Sequence, residues 1–447
     1  MEQKGKGKKI ITAVVAVVIA AVFFAAGFLV ARLSKRREVS SFEWAMKIIG
    51  ENYYDDVSMN AFLVGSLKGF ADECLDSYSA YYTAEEYNAV KASNSGRKSG
   101  VGVSFSYLPQ GTYPGDKSGV YIESVVGGSP AYESGLRAGE FILSATAGGN
   151  TVTFNGSNDF SDFIDGLDDG ERFTLVSDRG QYELAKSAYT ASYCYMATAD
   201  KQWSVSYGEN GRVISETVGG KDCLPEGAAY LRLDQFFGNA AYEAAELIEK
   251  FNAENCTSLI LDLRGNGGGY VDVMCDISGI FTGQLQNSEK IAMRAVYRDG
   301  HSENYAVTRR FSGSELLPAG TKVSVLADNG TASASEALIG VLIDNKVISY
   351  GDIYISDFGE NYLSFTGTQA KDCRTYGKGI MQSTFVNPRT GEALKLTTAK
   401  IYWPKGEVSI HDVGLNTSMG CKTVPAAWDV TFGDEQLAEA VDMIYGQ

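Results

Sequence analysis

The chain has 447 residues, of which 44% are hydrophobic and 21% are charged, a composition typical of a globular protein with two or three domains. Its net charge is −16 at pH 7, and from residue 38 onward 31 basic side chains face 54 acidic ones, a net charge of −23. Such a surface repels nucleic acid and anionic lipid, so we expect no nucleic-acid partner.

Residues 10–31 form a stretch of 22 uncharged, mostly apolar positions. At about 1.5 Å per residue, a helix of this length crosses a bilayer, so the stretch predicts a transmembrane anchor. A cleaved signal peptide is the alternative, but the run is long and lacks a clear A-x-A site. Four basic residues lie on each side, so flanking charge leaves the orientation open. The acidic remainder favours a single-pass cell-membrane protein with an extracytoplasmic body and residues 1–37 as cytoplasmic tail and anchor.

Two segments of different periodicity follow the anchor. Residues 38–95 have the apolar spacing of helices, as in Trp44, Ile48 and Leu63, and predict a helical arm. Residues 96–190 have strand alternation and turn glycines, with one short helix between Ser129 as N-cap and Gly135 as its end. We therefore expect a mainly β domain over residues 96–190.

From residue 191 to 447 the pattern alternates between strands and helices, which predicts an α/β core. Within it, the apolar run 258–263 ends in the glycines of residues 265–269. This pattern indicates a buried strand that feeds a tight loop whose bare amides can face a ligand. A nucleotide-binding loop is disfavoured, because Tyr270 stands where G-x-G-x-x-G requires glycine. The loop is better suited to donate an amide to an oxyanion.

The sequence A-D-N-G-T-A-S-A-S-E, residues 327–336, lies between a strand-like run and a helical pattern. A small side chain on such a turn stands where amides and the positive end of a helix dipole converge, which favours an anion beside it. Ser333 is therefore a candidate nucleophile. A structural alternative stays open, because Ser333 and Glu336 also have the spacing of a capping box.

A lysine lies between two glycines in T-Y-G-K-G-I-M-Q, residues 375–382. The chain has only two histidines, His301 and His411, far apart in sequence, so a serine hydrolase would need another base. Lys378 can serve only if its pKa falls from about 10.4 toward 7 or 8, which costs roughly 3 to 4 kcal/mol. A solvated surface lysine is the structural alternative. Lys378 and Gln382 share one face whether the segment is extended or helical.

Three motifs in this order, L-D-L-R-G-N-G-G-G, T-A-S-A-S-E and G-K-G-x-x-Q, resemble those of the carboxyl-terminal processing peptidases. These tail-specific serine-lysine endopeptidases carry a PDZ domain. The resemblance implies that Ser333, rather than Ser335, is the nucleophile and that Lys378 is the general base. It also implies that Gln382 holds the lysine amine, and that the amides of Gly269 and Ala334 form the oxyanion hole.

The resemblance also extends to the other domains. Residues 129–140, S-P-A-Y-E-S-G-L-R-A-G-E, resemble the bacterial PDZ signature S-P-A-x-x-x-G-L-x-x-G-D. It implies a PDZ domain over residues 96–190 that binds protein or peptide C-termini, preferably apolar ones. The peptide-binding amides would be those of Gly100, Val101, Gly102 and Val103. The core, residues 191–447, would have the ClpP/crotonase-like fold, and the arm would serve packing or contacts in a homo-oligomer.

Two segments depart from the family pattern. Residues 353–373 look like an insertion beside the lysine loop, either a lid or an inert surface hairpin. Residues 413–417, V-G-L-N-T, lack the usual Gly-Ile-x-Pro-Asp pattern. The seven cysteines have no C-x-x-C spacing, so we expect no metal site and no cofactor, and we assign no disulfide. The sequence thus predicts a membrane-anchored serine endopeptidase, with a catalytically idle tail-binding adaptor as the alternative.

Overall fold

The computed structural model describes residues 41–108, 110, 118–208, 211–282, 291–357, 373–406, 408–425 and 434–446. The chain divides into two compact units between Thr83 and Ala84. In the first unit, a helix over residues 41–52 precedes helix α1, Met59–Cys74, and the short strand β1, Ala80–Tyr82. The Ser58 hydroxyl accepts the Ala61 amide and caps α1.

The second unit begins with helix α2, Ala84–Asn94, and continues into a mainly β region closed by two antiparallel strands, β2 and β9. Between these lies a six-stranded sheet in the order β3-β4-β5-β7-β8, with β6 on the edge of β5. The elements are β2 Arg97–Gly100, β3 Val103–Leu108, β4 Gly119–Val125, α3 Pro130–Ser134, β5 Phe141–Ala147, β6 Asn150–Val152, α4 Ser157–Asp165, β7 Arg172–Ser177, β8 Gln181–Ala185 and β9 Ser187–Thr190. The predicted caps of α3 are confirmed: Ser129 Oγ accepts the Tyr132 amide, and Gly135 ends the helix at φ 93°.

An eight-stranded sheet in the order β12-β11-β10-β13-β14-β17-β18-β21 forms the core. Strands β10 to β13 pair antiparallel, and β13, β14, β17, β18 and β21 run parallel. The strands are β10 Cys194–Ala197, β11 Lys201–Gly208, β12 Gly211–Val218, β13 Ala228–Leu233, β14 Ser258–Asp262, β17 Lys322–Ala327, β18 Ile353–Asp357 and β21 Lys422–Pro425. The alternating strands and helices confirm the predicted mixed α/β fold.

Helices cover both faces of this sheet, which explains why β14 is apolar along its whole length. Leu259 and Leu261 pack with α5, Ala240–Ala253, α6, Val271–Thr282, and α7, Ala334–Asp344. Ile260 packs on the opposite face with helix α8, Asp434–Tyr445. The carboxyl ends of β14 and β17 therefore emerge side by side at one edge of a three-layer core.

A smaller sheet holds four further strands in the order β19-β20-β15-β16. They are β15 Ile291–Tyr297, β16 Ser302–Ala306, β19 Ile380–Val386 and β20 Ala393–Tyr402. After β20, the indole of Trp403 packs directly on α7 at Gly340, where a Cβ atom would lie 2.2 Å from Trp403 Nε1. This contact holds the helix that follows Ser333.

The prediction of a single-pass membrane protein is wrong when judged by the length and apolar character of the described helices. Across the ranges given above, no helix is long and apolar enough to cross a bilayer. The helix Met59–Cys74, for example, has 16 residues, fewer than the roughly 20 that a span requires. Residues 10–31, on which the prediction rested, lie outside the described residues.

Part of the segment predicted as an insertion, residues 353–373, belongs to the central sheet instead. Its first five residues form β18, a buried strand between β17 and β21 in the central sheet. Any extra segment can therefore begin only after Asp357, because removal of Ile353–Asp357 would open the core sheet. Residues 358–372 lie outside the described residues.

Candidate active site

Ser333 occupies the turn between β17 and α7. Its backbone has φ 57° and ψ −113°, a conformation that a residue with a side chain rarely adopts. Such a strained residue costs of order 1–3 kcal/mol and persists only where its surroundings hold it. Ser333 is also the N-cap of α7, so its hydroxyl stands at the positive end of the helix dipole.

The buried carboxylate of Asp328 holds this turn to the glycine loop. Asp328 Oδ1 accepts the amides of Gly265, Gly330 and Thr331 at 2.9, 2.9 and 3.0 Å. Burial raises the pKa of Asp328, and these hydrogen bonds oppose that rise. Sequence reasoning missed this residue, although an aspartate that begins a D-N-G turn commonly caps local amides.

Asn266 adds a second link and distinguishes the two candidate serines. Its backbone carbonyl accepts the Ala332 amide at 3.0 Å and the Ser335 hydroxyl at 2.8 Å. Its side chain accepts the Gly268 amide and donates to the Leu233 carbonyl. Ser335 is fully buried, so its hydroxyl fastens the turn to the loop from inside the protein.

Gly268 and Gly269 lie against the serine turn. A Cβ atom on Gly268 would lie 3.0 Å from both Ser333 Cβ and the Ala334 amide nitrogen. On Gly269 it would lie 2.5 Å from the Phe236 carbonyl oxygen. Both positions also have positive φ, so only glycine fits. The structure thus places Gly268, which precedes the predicted oxyanion residue Gly269, against Ser333 and Ala334.

The buried carboxylate of Glu336 joins the serine turn to the lysine loop. One oxygen, Oε2, accepts the Ser333 amide at 3.0 Å and the Lys378 amide at 2.9 Å. Because both nitrogens bond to the same atom, they lie at most about 6 Å apart. Oε1 accepts the Gly377 amide at 2.8 Å and the Thr375 hydroxyl at 2.5 Å.

Burial raises the pKa of Glu336, and these four hydrogen bonds oppose the rise. All four partners donate: Thr375 Oγ1 accepts the Leu415 amide and therefore turns its own proton toward Glu336. Four donors match the four acceptor positions of an ionised carboxylate. The sequence suggested Glu336 only as half of a capping box.

Residues 411–415 support the lysine loop from its other side. Thr375 exchanges hydrogen bonds with Leu415, and the Asp412 amide donates to the Gly377 carbonyl at 2.9 Å. A Cβ atom on Gly379 would lie 2.6 Å from the His411 amide nitrogen. The segment that departs from the family pattern therefore overlaps the support of the lysine loop.

Gln382 lies on β19, four residues after Lys378 and opposite Thr397 of β20. Its amide nitrogen donates to Thr397 Oγ1 at 2.9 Å, so the described contact is with the neighbouring strand. The amide oxygen is the atom that could accept a hydrogen bond from a lysine amine.

The predicted peptide-binding loop lies between β2 and β3. Its carbonyls point into the domain: the Val101 carbonyl accepts the Ala131 amide, and the Gly102 carbonyl accepts the Val126 amide, both at 2.9 Å. A Cβ atom on Gly102 would lie 2.1 Å from Ser129 Cβ, so the loop packs tightly on the start of α3. Val101 belongs to the core of this domain, whereas Val103 is only partly buried.

A buried ion pair lies beneath the glycine loop. Arg264 contacts both oxygens of Asp262, and Tyr230 donates to Asp262 at 2.6 Å. Burial alone would raise the pKa of Asp262, but Arg264 and Arg232 lower it to about 2. This pair anchors the strand end that carries the loop. Among the described residues, no group of three or more His, Cys, Asp or Glu side chains is placed to hold a metal ion.

Comparisons with known proteins show similarity to peptidases. Residues 227–352, which include the glycine loop and Ser333, match the model of peptidase family S41. A CtpA-like serine protease of Staphylococcus haemolyticus, named as probable, is 25% identical over 382 residues, or 85% of this chain and 64% of the relative. The carboxyl-terminal-processing protease of Synechocystis is 27% identical over 335 residues, or 74% of this chain and 64% of the relative.

The chain thus spans 64% of the length of these two curated relatives. A solved structure from Bacteroides fragilis, described as a candidate S41 protease, is 14% identical, with a TM-score of 0.52 over 90% of this chain and 97% of that one. That likeness shows a shared fold. The chain is thus similar to the S41 peptidases, and the family model matches residues 227–352.

Proposed function

We propose that this chain is a serine endopeptidase in which Ser333 is the nucleophile and Lys378 is the general base. One observation carries the proposal: a single oxygen of Glu336 accepts the backbone amides of both residues. A surface lysine and a simple helix cap need no such common support. The names of the curated relatives, serine protease and carboxyl-terminal-processing protease, point the same way.

In the proposed reaction, neutral Lys378 takes the hydroxyl proton of Ser333 as the oxygen attacks the scissile carbonyl. The amides of Gly269 and Ala334 donate to the resulting oxyanion, and the dipole of α7 favours the same charge. The proton then passes to the leaving amine, and water hydrolyses the acyl-enzyme. Gln382 would orient the lysine by accepting from its amine through the side-chain oxygen.

We further propose that residues 96–190 act as a PDZ-type domain that captures substrates by their C-termini. Support comes from the tight loop of residues 100–103, which glycines and Ser129 hold in place. Its carbonyls bond inward, so its amides are the groups offered to a terminal carboxylate. Substrates would be proteins or peptides with accessible apolar C-termini. The helical arm, residues 38–95, would provide contacts in a homo-oligomer.

Cleavage of an unfolded protein with an apolar C-terminus, with fragments read by mass, tests the catalytic assignment. Ser333→Ala should abolish cleavage and keep the fold, because it removes one hydroxyl and at most a helix cap worth about 1 kcal/mol. Lys378→Arg should be equally inactive, since guanidinium stays protonated near neutral pH. Ser335→Ala is the matched control, two residues away. An active Ser333→Ala beside an inactive Ser335→Ala would show that the nucleophile is misassigned.

A further inference from the structure

The residue that follows the glycine loop, Tyr270, has a feature that the proposed chemistry leaves unused. The residue is 42% exposed, although most of α6 after it is buried. Tyr270 also contacts Phe237, with ring centroids 5.1 Å apart and planes at 86°. This edge-to-face arrangement is one that aromatic pairs favour.

The backbone fixes this aromatic pair to the proposed oxyanion hole. Gly269 and Phe236 form a parallel bridge, in which the Tyr270 amide donates to the Phe236 carbonyl at 2.8 Å and the Phe236 amide to the Gly268 carbonyl at 3.0 Å. Tyr270 and Phe237 are the next residues on the two bridged segments, so they leave the bridge side by side. Phe236 is fully buried and anchors the pair in the core.

We propose that Tyr270 and Phe237 form an aromatic subsite that binds a large apolar side chain of the substrate beside the scissile bond. The proposal rests on the proposed function, because it takes the Gly269 amide as the place where the scissile carbonyl lies. Consecutive Cα atoms are about 3.8 Å apart, so Tyr270 begins within one residue of that amide. A substrate side chain next to the carbonyl is within reach of its ring.

The exposure of Tyr270 leaves its ring available to a substrate, because much of the residue faces water. When a substrate side chain covers apolar surface beside a cleavage site, the removal of that surface from water favours binding. A second exposed aromatic residue, Tyr376, lies on the lysine loop, where its amide donates to the Thr331 carbonyl at 3.0 Å. It provides a neighbouring ring for comparison.

The test uses the full chain and peptides that share one C-terminus and differ only at the residue on either side of the cleaved bond. Phe, Leu, Ala and Lys are placed there in turn, and kcat/KM is measured while mass identifies the cleaved bond. For one of the two positions, the wild type should prefer Phe or Leu over Ala by about tenfold or more, as apolar pockets do. Tyr270→Ala should lose that preference, and Tyr270→Phe should keep it, since the ring rather than the hydroxyl makes the contact.

Phe385→Ala is the matched control, because Phe385 is comparably exposed and lies at the end of β19 remote from Lys378. It should leave the preference unchanged. An unaltered Phe-to-Ala ratio in Tyr270→Ala, with cleavage still dependent on Ser333, would overturn the subsite and leave the proposed function intact. So would a change produced by Tyr376→Ala alone, or a wild-type preference for Lys. Absence of any Ser333-dependent cleavage would overturn both proposals.

Discussion

Replacement of Glu336 by glutamine tests whether the buried carboxylate sets the geometry of the site. Each carboxylate oxygen accepts two hydrogen bonds, from Ser333 and Lys378 on one side and from Thr375 and Gly377 on the other. Whichever oxygen becomes the amide NH2 group, two donors then face another donor. The substitution replaces one oxygen by an NH2 group, but glutamine cannot accept all four of the hydrogen bonds that Glu336 accepts.

The structure gives the size of the expected effect. A hydrogen bond to a charged acceptor contributes about 1.5–3 kcal/mol, so the loss of two would cost roughly 3–6 kcal/mol of stability. That is a large share of the 5–15 kcal/mol typical of a folded domain. The lysine loop would also relax away from the serine turn, and a misplacement of about 1 Å is enough to lower the rate about a hundredfold.

The assay compares kcat/KM on an unfolded substrate with the thermal unfolding midpoint of the same preparation. Glu336→Gln should lower kcat/KM at least a hundredfold at temperatures where the protein is still folded. Glu243→Gln is the control: that buried carboxylate accepts the amides of Tyr193 and Cys194 but is not bonded to the serine turn or the lysine loop. It should affect cleavage much less, whatever its effect on the midpoint. A folded Glu336→Gln with wild-type kcat/KM would refute the idea that this carboxylate positions the two residues.

Two further predictions concern pH and substrate capture. Burial raises the pKa of the Glu243 carboxyl from its ordinary 4.5 to about 7. The contribution of Glu243 to stability is therefore complete below pH 4.5 and is lost as the pH rises to about 7. At about 1.4 kcal/mol per pH unit, the free energy of unfolding should fall by about 3 kcal/mol over this range. Chemical denaturation from pH 4.5 to 8 should show that the free energy of unfolding of Glu243→Gln depends less on pH than that of the wild type. Parallel curves for the two proteins would contradict the assignment of this pH dependence to Glu243. Amidation of a substrate C-terminus should weaken its binding to the Ser333→Ala protein about tenfold to a hundredfold, because the loop of residues 100–103 loses a charge-assisted hydrogen bond. Equal affinity for free-acid and amidated peptides would mean that the loop is not a tail receptor.

The sequence alone predicted the features that depend on local pattern. Apolar alternation marked the strands and helices of the mixed α/β fold, and the caps of α3 followed from Ser129, Pro130 and Gly135. The glycine loop, the serine turn and the lysine loop were each visible as short motifs. Local rules suffice here because capping, turn geometry and strand alternation depend on residues only a few positions apart.

Only the tertiary structure decided how these motifs meet. Asp328 and Asn266 join segments more than 60 residues apart, and Glu336 joins two loops about 40 residues apart. The support from residues 411–415 and the burial of β18 are likewise non-local, so no spacing in the sequence announces them. The sequence favoured Ser333 over Ser335 only through the family resemblance. Burial and hydrogen bonding separate the two serines, because the Ser335 hydroxyl is fixed inside the protein, whereas Ser333 is only partly buried at the helix terminus.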